Sequence, residues 1–440
     1  MEKQVWLLKQ YIYFVPMRLL QHSLFYFLLL AVLCVDAQTD SIPVFKGAIK
    51  ANRDKTYSNI VKNSITKNLG LPLTEFTEEN WEDAFYALEV LNYKPVWVSK
   101  NINQAFAVIE KRSAGFQRAL LKFCYAMYPD AFITPVQKLL SSTSNSKIFA
   151  LCSEYLYQTK KTTGQKIQTN TRRFQFTLEH DSILNPLVKS KWSVTEKNKL
   201  AALKEVGNTT FLQNHIILFS FQRKNRNYPG VAIVRDKEGN FIINDSGKIF
   251  AVPQLAKSVS NLPFYLTNGN TPQGIFRMCG FDVSKSMAIG PTANIQLMMP
   301  LETSPQFFLK DSSITDTIWT ENLYQRLLPE SWKKYLPAMQ TYYASKAGRT
   351  EIIAHGTTVD PEYYKGQTYY PYTPTQGCLC TKEIWSDVNG KRIISDQQKL
   401  VDAVKKAGGA DGYLIVIEID DQQKPVSINE ILPYLKIKNK

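Results

Sequence analysis

Residues 349–380 read RTEIIAHGTTVDPEYYKGQTYYPYTPTQGCLC, and this stretch decides how the second half of the chain is interpreted. A short apolar run is followed directly by His-Gly at 355–356. A polar loop rich in tyrosine comes next, and Thr-Gln-Gly-Cys follows it at 375–378. The thiolate is the reactive form of cysteine, and a nearby imidazole makes it accessible near neutral pH. The pattern therefore predicts that Cys378 is a nucleophile and His355 its base.

Each residue of this pair also has a purely structural interpretation. A lone cysteine is usually a small buried hydrophobic residue, and a lone histidine is usually part of the packing. The chain has only four histidines, however, so a His-Gly shortly before a Gly-Cys is uncommon by chance. His215 lies in an apolar run and His180 in a basic segment, and neither precedes a comparable glycine–cysteine pair.

The motif resembles the signature of the L,D-transpeptidase (YkuD-like) catalytic domain, which has His-Gly, a variable loop, and then Ser/Thr-x-Gly-Cys. A second segment, NTPQGIF at 270–276, looks like the Thr-Pro-x-Gly-x-Phe element that precedes the active site in that family. The chain departs from the family pattern at Gln376, where histidine is common, and at Cys380, where arginine or asparagine is common. The resemblance covers roughly residues 210–425.

This resemblance implies a cell-wall peptidoglycan L,D-transpeptidase that acts on tetrapeptide stems through a thioester on Cys378. His355 would take the thiol proton and later return one to the leaving amine. A backbone carbonyl just after the histidine would orient the imidazole. No metal or cofactor is implied. The other residues expected at the oxyanion and substrate-binding positions are Gly377, Gly356, Thr375, Tyr370 and Tyr372.

Other functions remain open on the sequence. An L,D-carboxypeptidase would have the same fold and form the same thioester, but water instead of an amine would attack that thioester. A sortase-like or papain-like enzyme keeps the Cys/His pair, but the spacing opposes the first and the His-before-Cys order opposes the second. A non-catalytic peptidoglycan-binding protein with a degenerate site is the third alternative.

The N-terminus indicates where the protein works. Basic residues precede a 12-residue apolar run, 24–35, and small residues follow, so residues 1–37 are expected to be a signal peptide or, alternatively, a membrane anchor. The expected location is the periplasm or cell envelope, with anchoring to the inner membrane as the variant. The net charge of +15 suits anionic cell-wall polymers or membrane surfaces, with a solvated basic surface as the simpler interpretation, and no nucleic-acid motif accompanies it. The resemblance implies peptidoglycan stem peptides as partners, with membrane association through the N-terminus as a variant, and the oligomeric state is not predicted.

The hydrophobic patterns predict an α+β protein with an N-terminal helical domain and a mainly β domain that carries helical insertions. The resemblance implies that the second of these is an L,D-transpeptidase-like catalytic domain. The boundaries are expected at 40–158 for the helical domain, 159–205 for a basic linker and helix, and 206–430 for the catalytic domain. The periodicity predicts helices at 81–91 (with Thr77 as its cap), 116–127, 148–156 and 397–406, a helical segment at 319–347, and strands at 215–221, 231–234, 241–243, 248–252, 295–299, 351–354 and 413–419.

Overall fold

The first half of the chain folds into helices with apolar inner faces. The computed structural model describes residues 42–174, 181–191, 203–208, 210–333 and 335–435. The leader prediction for 1–37 and His180 lie outside these ranges. The described α-helices of six or more residues in this half are Lys50–Asn59, Glu78–Val90, Val98–Val108, Ala114–Met127, Ile133–Ser142, Ser146–Gln158, Gly164–Thr171 and Leu184–Lys189.

Several of these helices begin at a residue whose side chain binds the first turn. Ser113 Oγ accepts the N–H of Phe116, and Asn145 Oδ1 accepts the N–H groups of Lys147 and Ile148. Such contacts satisfy backbone donors that have no partner within the helix. The described helices do not include one that is both long enough and apolar enough to cross a membrane.

The second half is built around one eight-stranded sheet. Two further strands, β8 (Glu383–Trp385) and β9 (Arg392–Ser395), form a separate hairpin. The strands of the large sheet are β1 (Ile216–Arg223), β2 (Gly230–Arg235), β3 (Val252–Gln254), β4 (Gly274–Asp282), β5 (Asn294–Met298), β6 (Ala354–His355), β7 (Leu379–Cys380) and β10 (Gly412–Asp420).

The sheet nearly closes on itself. Its strand order is β3-β2-β1-β10-β4-β5-β6-β7, with parallel pairing between β1 and β10 and between β6 and β7. Leu255, directly after β3, pairs back to Cys380 of β7 through two hydrogen bonds of 2.7 and 2.8 Å. The short strand that carries the histidine and the short strand that follows Cys378 thus lie where the sheet comes round to its own first edge.

Both faces of the sheet are covered. Alternate residues of β1 and β10 belong to two different apolar clusters, as the period of a strand requires. The helix Asp396–Lys406 packs on one face through its apolar stripe. The helices between Pro305 and Lys346 cover the other face, and they are Pro305–Leu309, Glu321–Gln325, Glu330–Lys333 and Gln340–Lys346.

The helical half has a core of its own, which also takes in residues of the second half. Leu262, Tyr265, Leu266 and Ala347 are buried in the same cluster as the helices before residue 188. The hydroxyl of Tyr265 donates to Glu154 Oε1 at 2.6 Å inside this contact. The predicted boundaries at 158 and 206 stay a prediction.

Of the residues that the structure describes, 41% are helical and 16% lie in strands, so the prediction of a mixed helix-and-strand fold is confirmed at that level. The predicted helices near 81, 116, 148 and 397 and the strands at 215–221, 231–234, 295–299 and 413–419 all have counterparts, with shifted ends. The segment at 241–243 forms only isolated bridges, at Phe241 and Ile243. The segment that begins at Gly274, for which no strand was predicted, is β4.

Candidate active site

His355 ends strand β6, and Cys378 directly precedes the neighbouring strand β7. The two strands pair in parallel, with Ala354 opposite Leu379 and His355 opposite Cys380. Cys380 is therefore directly opposite the histidine. Cys378 lies two residues earlier on the neighbouring segment, in a diagonal position relative to His355. A diagonal offset of this kind separates Cα atoms by about 8 Å, given the rise of a strand and the spacing between strands.

The Cys378 thiol is bound by backbone atoms of the segment that leads into β6. Its sulfur accepts the N–H of Ile353 at 3.5 Å and lies 3.7 Å from the carbonyl oxygen of Glu351, to which it donates. No hydrogen bond joins it to His355 within the part of the chain that the structure describes. The residue as a whole is partly exposed.

The imidazole of His355 is buried and held by the next residue of the chain. Its Nδ1 is hydrogen-bonded to the carbonyl oxygen of Gly356. Because a carbonyl only accepts, Nδ1 carries the proton and the neutral ring keeps its lone pair on Nε2. The ring is thereby oriented by a backbone carbonyl, and Nε2 is the atom that can take a proton.

Burial keeps both groups neutral at pH 7. Removal from water raises the pKa of the Cys378 thiol to about 11, against smaller opposing effects of the Ile353 N–H and the Arg349 charge. It lowers the pKa of His355 to about 4, since the Gly356 hydrogen bond offsets only part of the desolvation. The resting pair is a thiol beside a neutral imidazole, which suits proton transfer during attack rather than a preformed ion pair.

The turn before the cysteine depends on a glycine. Gly377 has φ of +121°, and a Cβ atom there would lie 2.2 Å from Nη2 of Arg349. That guanidinium is buried and donates to the carbonyl oxygens of Gly269 and Asn270, each at 2.8 Å, and to that of Phe264. Arg349 thus holds a positive charge directly behind the cysteine turn.

Two threonine hydroxyls fix the same turn. Thr375 Oγ1 accepts the N–H of Gly377 at 3.0 Å and donates to the carbonyl oxygen of Cys378 at 2.9 Å. Thr271, from the TPQGIF segment, donates to the carbonyl oxygen of Gly377 at 2.9 Å. The two sequence motifs therefore meet in space, and the Gly377 N–H, which we expected to bind an oxyanion, is occupied by Thr375.

Gly356 is required by a buried carboxylate. A Cβ atom there would lie 2.3 Å from Glu383. Oε1 of Glu383 accepts the hydroxyls of Thr292 and Ser395 at 2.6 and 2.5 Å, and Oε2 accepts the N–H of Thr357 at 3.1 Å. Glu383 thus fixes the backbone that follows the histidine.

The two tyrosines expected in the cleft lie in different environments. Tyr370 is 40% exposed and donates to Glu362 Oε1 at 2.7 Å on the surface. Tyr372 is half-buried and packs against the small apolar cluster of Leu255 and Tyr369. Contact of either tyrosine with a substrate stays a prediction.

The sequence analysis assigned no role to Arg349 or Glu383. The signal available for Glu383 is a charged residue directly before the apolar pair Ile384 and Trp385. Arg349 opens the quoted stretch but has no local pattern, because its partners lie about 80 residues earlier in the chain.

The residues that the structure describes include one further histidine and four further cysteines. His215 precedes β1, and its ring packs edge-on against Tyr413 at 5.2 Å between centroids. Cys124, Cys152 and Cys380 are buried thiols and Cys279 is half-buried, all of them unpaired. In the described ranges, no group of three or more His, Cys, Asp or Glu side chains is arranged to hold a metal ion.

No known protein-family model, no curated protein and no solved structure matches this chain.

Proposed function

We propose that this protein is a cysteine-dependent acyltransferase of the L,D-transpeptidase type that acts on peptidoglycan stem peptides in the cell envelope. The observation that carries the proposal is the contact between His355 Nδ1 and the Gly356 carbonyl, one strand away from a partly exposed Cys378. It leaves Nε2 as the ring atom that can act as a base, on the strand paired with the one that follows Cys378, as the sequence resemblance implies. The periplasmic or envelope location rests on the leader at 1–37.

The chemistry has two steps. In the first, the Cys378 sulfur attacks the carbonyl of a stem peptide while His355 Nε2 takes the thiol proton. The amide C–N bond breaks, the terminal D-alanine leaves with that proton, and a thioester forms. In the second, an amine of a neighbouring stem attacks the thioester, His355 takes the amine proton, and the thiol is restored.

The residues around the turn support these steps electrostatically. The Arg349 guanidinium lies behind Gly377, where it favours the thiolate that develops during attack. Because the Gly377 N–H is bound to Thr375, the backbone N–H of Cys378 is the oxyanion donor in this proposal.

A second candidate is a non-catalytic protein that binds stem peptides. Two observations favour it: the thiol donates to the Glu351 carbonyl instead of the imidazole, and its pKa is raised to about 11. An L,D-carboxypeptidase is the hydrolytic variant of the first candidate, with water in place of the amine.

The test is to incubate the mature protein with muropeptides that carry tetrapeptide stems and to analyse the products by mass spectrometry. Cross-linked dimers support the transpeptidase, and tripeptides with free D-alanine support the carboxypeptidase. The Cys378→Ala variant is the matched control and must lose either activity by at least about 1000-fold. Retention of muropeptides without any product, in both proteins, would overturn the enzymatic proposal in favour of the binding protein.

A further inference from the structure

A cavity of about 340 Å³ lies between the helical half and the tyrosine-rich loop. Residues of the helices Glu78–Val90 and Ala114–Met127 form one wall, and Tyr364, Tyr369 and Lys257 contribute to the other. Its volume suits a molecule of amino-acid size. Cys378 and His355 are not among the described residues that line it, so it is separate from the candidate active site.

Lys257 is the unusual residue of this cavity. It is 94% buried (6% exposed), and no carboxylate or hydrogen-bond acceptor contacts its Nζ within the described residues. The ammonium lies 5.5 Å from the centroid of the Tyr369 ring, a cation–π contact that offsets part of the loss of water. Burial without an anionic partner is costly, and it lowers the pKa of Lys257 to about 7.

The other titratable groups of the cavity do not neutralise this charge. Glu89 is paired with Lys122, whose Nζ lies 2.9 Å from Oε2, and burial raises the pKa of Glu89. Tyr125, Tyr364 and Tyr369 stay neutral because burial raises the pKa of each phenol. The rest of the polar lining consists of amides: Asn92, Asn227, Asn261, Gln158 and Gln367.

We propose that this cavity binds a small molecule with one carboxylate group, which pairs with the Lys257 ammonium. A single ammonium compensates a monoanion, whereas a phosphate dianion would leave a buried charge uncompensated. The amides and tyrosine hydroxyls supply neutral hydrogen bonds to the rest of the ligand. The lining thus offers one cation for the carboxylate and neutral hydrogen-bonding groups for the rest of the ligand.

The site adjoins the cysteine turn through the backbone. The carbonyl oxygen of Lys257 accepts the N–H of Thr375 at 3.1 Å, and Pro374 lines the cavity. An occupant therefore rests against the segment that leads to Gly377. Binding of a carboxylate in this cavity does not require a reactive Cys378, so the Cys378→Ala variant must retain that binding.

The experiment titrates the full chain with acetate and with L-lactate at constant ionic strength, using saturation-transfer NMR and the shift in melting temperature. We expect saturable binding of at least one probe, which Lys257→Met abolishes. Lys257→Met removes a buried unpaired charge and is expected to fold. The control Lys285→Met changes an exposed lysine and must leave binding unchanged.

The pH dependence provides a second readout. Binding needs the protonated ammonium, so with the pKa of Lys257 at about 7 the affinity falls about 30-fold from pH 6 to pH 8.5. In Lys257→Arg, whose charge persists over this range, any binding that remains loses the pH dependence. Equal binding in Lys257→Met, tighter binding of phosphate than of either carboxylate, or no saturation at concentrations on the order of 100 mM would each overturn the proposal.

Discussion

At the scale of single residues, the thiol and the imidazole of the candidate site are held in a neutral resting state. The thiol of Cys378 donates to a backbone carbonyl, and the imidazole of His355 donates through Nδ1 to the carbonyl next to it. The two side chains are thus each fixed by the backbone rather than by each other. The proposed reaction requires the cysteine side chain to turn away from Glu351 and toward Nε2.

The reactivity of Cys378 should follow this resting state. Because burial raises its pKa to about 11, the thiolate fraction grows as the pH approaches that value. We expect the rate of alkylation by iodoacetamide at Cys378, followed by peptide mass spectrometry, to rise about tenfold per pH unit between pH 7 and 10. Cys380, which is buried and whose pKa is raised to about 12, should stay unmodified. A rate that is already level at pH 7 would contradict the neutral pair.

A substitution at Glu383 tests whether this carboxylate fixes the backbone that follows His355. Its carboxylate accepts three hydrogen bonds, and an amide in the same place has only one accepting oxygen. We expect Glu383→Gln to lower the free energy of unfolding by about 1–3 kcal/mol, measured by urea denaturation. The matched control is Glu362→Gln at the surface, which should change stability by less than about 0.5 kcal/mol. Equal effects of the two substitutions would refute the role given to Glu383.

At the scale of elements, prolines and competing hydrogen bonds explain details that the periodicity does not predict. The segment 319–347 is helical as predicted, and Pro329 and Pro337 divide it into short helices because proline lacks the N–H that a continuing helix needs. Thr77 does occupy the cap position before Glu78–Val90. Its hydroxyl instead donates to the carbonyl oxygen of Pro72 at 2.6 Å, and it makes no side-chain cap.

The contact between the TPQGIF segment and the cysteine turn can be tested through Thr271. Its buried hydroxyl donates to the Gly377 carbonyl, so Thr271→Val leaves that acceptor without this donor. We expect a loss of about 1–3 kcal/mol in the free energy of unfolding and faster hydrogen exchange in residues 375–380. Thr271→Ser keeps the hydroxyl and should preserve the slow exchange. Unchanged exchange in Thr271→Val would show that the turn does not depend on this hydrogen bond.

At the scale of the whole molecule, the helical half and the sheet half share buried surface. Tyr265 reaches from the second half into the helical core, and its hydroxyl bonds Glu154, which is also paired with Lys191 at 2.5 Å. Tyr364 of the loop between His355 and Cys378 donates to the carbonyl oxygen of Val90 at 2.7 Å. The helical half is therefore part of the support of the candidate site.

This shared core predicts how the protein unfolds. We expect the fluorescence of Trp81 in the helical half and that of Trp332 in the sheet half to change in one urea transition, because each half buries surface of the other. The two signals are separated with single-tryptophan variants. Tyr265→Phe should shift both midpoints together, since a hydrogen bond to a charged group is worth about 1.5–3 kcal/mol. Two separate transitions would instead support independent domains at the predicted boundaries.

The sequence by itself determined the local features of this protein. The spacing of apolar residues predicts the helices near 81, 116, 148 and 397 and the long strands β1 and β10, because each buries a face whose period is set by local geometry. The apolar run that leads to His355 also predicts a strand there, and β6 ends at that residue, whereas no strand was predicted directly after Cys378. These features involve residues only a few positions apart.

The tertiary structure alone decided the hydrogen-bond partners and the burial of the side chains in the candidate site and the cavity. Thr271 and Gly377 are 106 positions apart, Arg349 and Gly269 are 80 apart, and no local pattern encodes such pairings. The same holds for the acceptor of the Cys378 thiol and for the burial of Lys257 without a partner. Protonation states depend on burial and on charges brought together by packing, so they follow from the folded chain and not from the spacing of residues along it.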